Sequence, residues 1–398
     1  MELENYTMAI TGSKTAKQSS RIRYGMVGGG QGAFIGAVHR IAARIDDKYE
    51  FVAGALSADP AKAQASGKEL GLAPDRIYSD FRAMAKAEGA RADGIEAVSI
   101  VTPNHMHYLV AKAFIEAGIH VICDKPLSLN LKEGKALAAL LKKNPKVIFA
   151  ITHNYSGYPM IRHAKAMVQA GELGDIRLVQ GEYPQDWLAT DLEKTGQKQA
   201  AWRTDPKRSG AGGCVGDIGT HTYQLGCFVS GLEATELSAE LTSFVKGRKL
   251  DDDVDVRLHY KGGAKGHIWA SQVAVGHENG LKLRVYGTKG GLEWVQADPN
   301  YLWLTPLGGE KRLITRGGAG SGPSAARVTR VPPGHPEGYL EGFANIYTEV
   351  SRAIEAKRAG KKLDKDVQFP GIADGVAGMA FIEACVKSSA KNGKWVKV

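Results

Sequence analysis

The chain has 398 residues, of which 43% are hydrophobic and 24% charged, a composition typical of a folded globular protein. At roughly 150 residues per domain, this length predicts two domains. The formal net charge is +10, but Lys and Arg occur singly or in pairs with no basic run, which argues against a nucleic-acid-binding surface and favours a smaller anionic partner.

The N-terminal segment and the cysteines bear on where the protein works. Residues 1–20 are polar and lack the apolar core of roughly 7 to 15 residues found in secretory signals, so a disordered leader is expected. No window approaches the ~20 apolar residues of a membrane span. The four cysteines are scattered, with no C-x-x-C pair and no His at metal-ligand spacing. Neither a disulfide framework nor a metal site is predicted, and a cytoplasmic location is expected.

The first predicted element is a strand, turn and helix that begin at Arg21 with the sequence RIRYGMVGGGQGAFIG. Gly28, Gly30 and Ala33 match the G-x-G-x-x-A form of the dinucleotide fingerprint, and the same turn contains Gln31 and Gly32. In such a turn the backbone approaches a pyrophosphate, which the free amides at the helix start then hold. The segment therefore predicts a dinucleotide site.

The second predicted strand runs from Tyr49 to Leu56, and its end is where an adenosine ribose would lie. An NAD-preferring domain normally has Asp or Glu there, but this chain has Ser57, with Lys62 five residues further on. Ser57 and Lys62 together are suited to a ribose phosphate, whereas the alternative for Lys62 is a solvated surface lysine. The choice between NAD and NADP stays open.

The third predicted unit is a buried strand from Ile95 to Val101, a helix from Tyr108 to Ala117 and a strand from His120 to Cys123. Alternating strands and helices predict a parallel, doubly wound sheet whose ligand lies at the carboxyl ends of the strands. Asn104 and Lys125 each follow a strand end. Both side chains are therefore expected to point into one crevice.

Three motifs in order carry a family resemblance. TPNHMH ends one strand, DKP ends the next, and G-G-x-x-x-D-x-G-x-H follows downstream. Together they resemble the Gfo/Idh/MocA family of NAD(P)-dependent sugar and polyol oxidoreductases. The resemblance implies an α/β protein with an N-terminal Rossmann domain, residues 21–150. It also implies a C-terminal α+β domain, residues 151–398, built on a large open, mostly antiparallel sheet with C-terminal helices that pack back.

The residue pattern of the second half also predicts a sheet of many strands. Strand-like runs such as DVDVRLHY and LKLRVYG are separated by turns that contain Gly, Asp and Lys. The open face of such a sheet must meet solvent or a second subunit. The resemblance implies a homodimer or homotetramer formed through that face.

Asp217 and His221 lie four residues apart in GGCVGDIGTHTYQL. Oxidation of a secondary alcohol needs a proton acceptor, and a neutral imidazole with an ordinary pKa near ~6.5 suits this role. His221 is the predicted base, with Asp217 one helical turn away to orient it or to bind substrate. The alternative is a capped helix start with a half-exposed histidine. Lys125, whose ammonium would stabilise a developing alkoxide, favours the catalytic interpretation, although sequence does not tell which of Lys125 and His221 moves the proton.

The resemblance also implies further contacts. Those predicted for the coenzyme, besides the residues above, involve Thr102, Pro103, Asn104, His107, Asp124, Lys125, Trp202 and Arg203. Those predicted for the substrate involve Lys125, Tyr155, Tyr158, Asp217 and His221. Asp124 replaces the Glu usual in the family, and Gln224 stands where many members have an acid. Interdomain packing is the alternative for both tyrosines, a buried structural histidine for His107, and a structural ion pair for Arg203.

The leading functional prediction is hydride transfer between NAD(P) and a hydroxyl of a sugar, sugar derivative or inositol-like polyol. Redox-neutral glycoside cleavage that begins with transient oxidation at C3 uses the same scaffold and is an alternative. A non-catalytic dinucleotide sensor is a third hypothesis, against which the joint presence of Lys125, Asp217 and His221 argues. Loops rather than the fold determine which sugar is bound.

Overall fold

The first part of the chain forms a parallel sheet. The computed structural model describes residues 21–398, so the predicted leader, residues 1–20, lies outside the described residues. Within the described part, this sheet has five strands in the order β2-β1-β3-β4-β5, all parallel. The strands are Ile22–Gly28 (β1), Tyr49–Ala55 (β2), Ala97–Val101 (β3), His120–Cys123 (β4) and Phe149–Ile151 (β5).

Both faces of this sheet are buried. Successive side chains of a strand point to opposite faces, so one strand contributes to two cores. In β1, Tyr24 and Met26 enter one hydrophobic core and Val27 enters the other. Apolar side chains of the connecting helices complete the two cores, which gives the doubly wound arrangement that the sequence predicts. The helices are Phe34–Ile45 (α1), Pro60–Glu69 (α2), Phe81–Ala90 (α3), Asn104–Glu116 (α4) and Leu131–Lys143 (α5).

The second sheet is large and mostly antiparallel. In the described residues it has nine strands in the order β13-β12-β11-β10-β6-β9-β8-β7-β14, and only β6 and β9 pair in parallel. The strands are Ile176–Pro184 (β6), Ala234–Thr242 (β7), Asp253–Tyr260 (β8), Lys265–Ser271 (β9), Lys282–Gly287 (β10), Gly290–Val295 (β11), Tyr301–Pro306 (β12), Arg312–Thr315 (β13) and Val396–Lys397 (β14). The α/β fold class with two unlike sheets is confirmed.

Helices cover one face of the second sheet. Leu283 and Val285 of β10 are buried on this face, while Tyr286 of the same strand and Trp303 of β12 are 38% and 36% exposed on the other. The alternation along each strand therefore leaves an open face that carries aromatic side chains. The remaining helices are Pro159–Gln169 (α6), Lys198–Arg203 (α7), Pro206–Ser209 (α8), Thr220–Ser230 (α9), Pro323–Ala326 (α10), Tyr339–Arg358 (α11) and Ile372–Ser389 (α12).

Helix α11 packs against the parallel sheet although it follows the second sheet in sequence. Its Tyr347 is fully buried, and the phenol oxygen lies 2.9 Å from His39 Nδ1 and 2.6 Å from Ser99 Oγ. Tyr49 donates a hydrogen bond of 2.8 Å to the Tyr347 carbonyl. One core of the first sheet is thus completed by a late segment of the chain. Among residues 21–398 no helix combines the length and apolarity needed to cross a membrane.

Several element boundaries differ from the sequence predictions. Strand β3 begins at Ala97 rather than Ile95, and α4 begins at Asn104 rather than Tyr108. Pro103 occupies the N-cap position of α4, so the polar residues that follow it form the first helical turn rather than a loop. This earlier start places Asn104 at the amino end of a helix.

Candidate active site

A cavity of about 870 Å³ lies at the carboxyl edge of the parallel sheet and extends to the second sheet. Its volume is in the range of cavities that hold a cofactor and a small substrate. The strand ends of the first sheet line one end, and side chains from the second sheet and from the segment 185–221 line the other. The cavity therefore lies where a doubly wound sheet is expected to bind its ligand.

The glycine-rich turn after β1 fits a dinucleotide. Gly28 has φ +83°, which favours glycine, and a Cβ on Gly30 would lie 2.7 Å from the Leu56 carbonyl oxygen. The N-cap of α1, Ala33, makes no side-chain capping hydrogen bond. The backbone therefore bends tightly and presents a helix start to the cavity, as pyrophosphate binding requires. Gly28, Gly30, Gln31 and Ala33 line the cavity, but Gly32 is not among the lining residues.

The end of β2 forms the wall beyond this turn. Ser57 and Lys62 both line the cavity. The nearby carboxylate of Asp59 accepts a 2.8 Å hydrogen bond from the Lys62 amide and caps α2. This carboxylate is therefore engaged by the helix, and the cavity wall at this point consists of a hydroxyl and an ammonium-bearing side chain.

Side chains at the ends of β3 and β4 line the same cavity. These residues are Thr102, Pro103, Asn104, Asp124 and Lys125. Asn104 donates from Nδ2 to the Ser209 carbonyl oxygen at 2.9 Å. Asp124 Oδ1 accepts hydrogen bonds from the Lys125 amide at 2.8 Å and from Thr152 Oγ1 at 3.1 Å. Asp124 thus fixes the backbone from which the Lys125 side chain extends.

Lys125 and Asp217 meet across the cavity. Lys125 Nζ lies 2.7 Å from Asp217 Oδ1 and also donates to the Asp217 carbonyl oxygen. The lysine follows β4 and the aspartate lies in a five-residue π-helix, Val215–Gly219, directly before α9. π-helical turns occur frequently at functional sites. Residues from the two halves of the chain therefore form one charged pair.

The sequence predicts that Asp217 orients His221, but in the structure its carboxylate contacts other side chains. Its carboxylate bonds Lys125, accepts from Gln272 Nε2 at 2.9 Å and lies 3.4 Å from Arg203 Nε; no hydrogen bond from the His221 ring reaches it in the described structure. The prediction assumed an α-helix between positions 217 and 221, whereas the wider π-helical turn changes which side chains face each other. Burial alone would raise the pKa of Asp217, but the charges of Lys125 and Arg203 outweigh burial and hold the pKa below its ordinary value.

His221 lines the cavity and is 7% exposed. Burial, the Lys125 charge and His153 lower the pKa of His221 well below its ordinary value, while Asp217 opposes the shift. Its ring contacts Tyr155 at a centroid distance of 5.0 Å and His153 at 5.4 Å, both edge-on. The imidazole is therefore neutral near pH 7 and held between aromatic rings.

Trp202 and Arg203 line the cavity at the end of α7. The guanidinium carbon of Arg203 lies 4.3 Å from the Trp202 ring centroid. Because its Nε lies near Asp217, Arg203 faces the lysine–aspartate pair. This placement agrees with the ion-pair alternative for Arg203.

Two of the predicted contact residues lie away from the cavity. His107 is fully buried, and its ring nitrogens lie 2.6 Å and 2.8 Å from the carbonyl oxygens of Pro126 and Thr102; it supports the backbone on either side of the cavity. Tyr158 is 1% exposed and packs between Tyr155 and Trp294. The position of His107 matches its structural alternative. Tyr158 packs against two residues of the second half of the chain, so its contacts are neither with the cavity nor between the predicted domains.

A hydrogen-bonded wall completes the cavity, and sequence reasoning missed most of it. Tyr155 bonds to Tyr183, whose hydroxyl donates to Asn279 Oδ1 at 2.7 Å. Gln185 Nε2 donates to the same oxygen at 2.8 Å. Tyr183, Gln185 and Asn279 are far apart in sequence and match no motif, so only their positions at strand ends of the second sheet give a signal. Among residues 21–398, no group of three or more His, Cys, Asp or Glu side chains is placed to hold a metal ion.

A doubly wound domain whose glycine turn opens onto this cavity is typical of a dinucleotide-binding protein. Residues 22–153 match the model of the oxidoreductase family with an NAD-binding Rossmann fold, and residues 161–293 match the GFO/IDH/MocA C-terminal domain. The chain belongs to the Gfo/Idh/MocA family and is an NAD(P)-dependent dehydrogenase.

Similar proteins extend over nearly the whole chain. An oxidoreductase structure from Sinorhizobium meliloti is 57% identical, covers 95% of this chain and 100% of its own, and has a TM-score of 0.87. An inositol dehydrogenase homologue from Azotobacter vinelandii, solved with NADH and myo-inositol, is 36% identical, covers 95% of this chain and 98% of its own, and has a TM-score of 0.89. Levoglucosan dehydrogenase of Pseudarthrobacter phenanthrenivorans is 28% identical, over 95% of this chain and 98% of its own.

Proposed function

We propose that this enzyme oxidises a secondary hydroxyl of a sugar, sugar derivative or inositol-like polyol and passes the hydride to NAD(P). The observation that carries the proposal is the Lys125–Asp217 pair in the same cavity as a neutral His221. The relatives support the substrate class, since one was solved with myo-inositol and another is named for levoglucosan.

The wall formed by Tyr155, Tyr183, Gln185 and Asn279 supports the same class. Phenol and amide groups both donate and accept hydrogen bonds, and a ring that carries several hydroxyls matches such a wall. A site of this type rejects analogues that lack a hydroxyl, because its buried polar groups then lose their partners. The wall therefore favours a polyhydroxylated ligand over a simple alcohol.

Each side chain of the site has a role in the proposed reaction. His221 accepts the hydroxyl proton at Nε2, because its Nδ1 is buried. Lys125 donates a hydrogen bond to the same substrate oxygen and lowers the cost of its negative charge. Asp217 holds the Lys125 ammonium in place and offsets the charge of the imidazolium that forms. The bound nicotinamide supplies the hydride acceptor, and the substrate carbon becomes a carbonyl.

A screen of sugars and polyols tests the proposed function. Purified enzyme is incubated with each compound and with NAD or NADP, and absorbance of the reduced nicotinamide is followed together with product analysis. We expect reduced coenzyme in amounts equal to the ketone formed, with cyclic polyols among the best substrates. Glycoside cleavage without accumulation of reduced coenzyme would support the redox-neutral alternative instead. Failure of every sugar and polyol to react, with no glycoside cleaved, would contradict both.

We infer that the cavity accepts NADP, since Asp59 caps a helix and Ser57 and Lys62 form the wall at the expected ribose position. Lys62→Ala is expected to raise the KM for NADP about tenfold, the loss of about 1.4 kcal/mol, and to leave the KM for NAD unchanged. Lys68→Ala, on the exposed side of the same helix, is the matched control. Equal effects of Lys62→Ala on both coenzymes would show that Lys62 does not distinguish them.

The open face of the second sheet supports assembly into a homodimer or homotetramer. On this face Tyr286 pairs across strands with Leu178, and Trp303 lies opposite Leu313; all four side chains are at least 36% exposed. Exposed pairs of aromatic and aliphatic side chains of this kind favour a contact with a second subunit. The four cysteines, all free, support a reducing, cytoplasmic location.

A further inference from the structure

Asp251 lies outside the cavity, in the loop that precedes β8, and is 8% exposed. Its Oδ1 accepts a hydrogen bond from the Gly213 amide at 2.6 Å, and its Oδ2 accepts one from the Val215 amide at 2.8 Å. Its backbone carbonyl accepts a third, at 2.8 Å, from the amide of Cys214. One residue therefore binds three consecutive amides of the segment 213–215.

This segment leads directly into the residues that face the cavity. The π-helix starts at Val215 and contains Asp217, and the Asp217 amide donates to the Gly213 carbonyl at 2.9 Å. Helix α9, with His221 in its first turn, follows without a break. The position of Gly213–Val215 therefore determines where the carboxylate and the imidazole lie relative to Lys125.

The contact between the segment 213–215 and Asp251 requires glycine at position 213. A Cβ at Gly213 would lie 2.2 Å from the Asp251 carbonyl oxygen, so only glycine permits the two backbones to approach this closely. The absence of a side chain at Gly213 therefore gives room for the Asp251 loop. Gly213 and Asp251 therefore form one structural unit.

We propose that Asp251 is a positioning residue for catalysis, which sets Asp217 and His221 against Lys125 by holding the amides of Gly213 and Val215. The inference rests on the proposed function for its catalytic consequence. Asp251 itself touches neither the cavity nor the reacting groups, so its effect passes through the backbone that it binds.

The groups around Asp251 indicate how pH acts on this contact. Asp252 is adjacent and paired with Arg248, and the thiols of Cys214 and Cys385 are neutral because burial raises the pKa of each. Burial also raises the pKa of Asp251 to about 6, against the opposing effect of the backbone amides. As pH falls through this value, the protonated carboxyl loses an acceptor for one amide, and the catalytic segment is held less firmly.

Asp251→Asn tests the proposal, since the amide group keeps the shape of the carboxyl but replaces one acceptor by a donor. We expect kcat to fall about tenfold to a hundredfold, the scale of a small misplacement of reacting groups, with the coenzyme Kd unchanged. Hydrogen exchange in the peptide that covers residues 213–221 should become faster. The wild-type kcat should fall as pH decreases through about 6, and the variant should lack this decrease.

Glu88→Gln is the control for a general loss of stability. Glu88 is a buried carboxylate that accepts a backbone hydrogen bond from Ile95 at 3.1 Å, far from the catalytic segment, and this variant should retain kcat and the pH profile. Unchanged kcat in Asp251→Asn, or a retained decrease near pH 6, would overturn the positioning role. If wild-type enzyme oxidises no polyol, the proposed function fails, and unaltered exchange of residues 213–221 would then overturn the inference separately.

Discussion

Replacement of Lys125 by methionine is expected to lower kcat by about 10²–10³-fold, the effect of losing one donor to a developing oxyanion. Methionine keeps the length of the side chain and removes the ammonium that lies 2.7 Å from Asp217 Oδ1. Asp217 retains Gln272 and Arg203 as partners, so the fold is expected to persist. Steady-state kinetics with the best substrate give kcat, and quenching of protein fluorescence by NADH gives the coenzyme Kd.

Lys112→Met is the matched control, since Lys112 is an exposed lysine of α4 paired with Glu116. This control should behave as wild type in both measurements. A Lys125→Met enzyme that turns over at the wild-type rate would remove Lys125 from the chemistry. A large rise in coenzyme Kd without loss of kcat would instead assign it to dinucleotide binding.

Replacement of His221 by asparagine is expected to lower kcat about 10²–10⁴-fold, since a positioned general base contributes this much. Asparagine removes the titrating group and retains a polar side chain in the cavity. The remaining oxidation should rise with pH up to alkaline values, because hydroxide then has to take the proton. The measurement is a pH profile of kcat for wild type and variant.

His267→Asn serves as the control for this experiment. His267 is an exposed histidine of β9 that pairs with Asp255. It does not line the cavity. Its loss should leave both kcat and the profile unchanged. Equal turnover in His221→Asn and wild type would show that another group accepts the proton, with Lys125 the first candidate.

The direction of the pH effect at His221 follows from its lowered pKa. The pKa of His221 in the folded protein is lower than the ordinary value of about 6.5. The imidazole therefore stays neutral, and can accept a proton, in mildly acidic solution. The stability that the neutral imidazole contributes is complete above the unfolded pKa and is lost as pH falls toward the folded one. A decrease in kcat near pH 6 therefore belongs to a group other than His221.

Local sequence signals predicted most of the residues of the first sheet that line the cavity. The glycine turn after β1 and the positions just past β3 and β4 depend on strand ends and turn residues, which short-range patterns reveal. The motifs also predicted that Lys125, Asp217 and His221 share one site. The contact between Lys125 and Asp217 was not predicted, because the prediction assumed α-helical spacing that would place His221 beside Asp217, and the chain forms a π-helix there.

Contacts between distant segments explain the other differences. Gln272 on Asp217, Asn279 on Tyr183 and Asp251 on Gly213 each join residues separated by more than thirty positions. No periodicity or motif links such pairs, since they depend on how the nine-stranded sheet places its strand ends. The burial of Tyr158 between aromatic rings has the same origin, and no pattern in HNYSGYP distinguishes it from Tyr155.

Helix α11 limits how this enzyme can be divided or recombined. Tyr347 fills a core made by His39, Tyr49 and Ser99, so a fragment ending near residue 153 would expose one whole apolar side of its sheet to water. Exchange of the coenzyme-binding half between relatives therefore has to carry the matching late helix with it. The coenzyme-binding half is structurally complete only together with this helix, which lies about two hundred residues further along the chain.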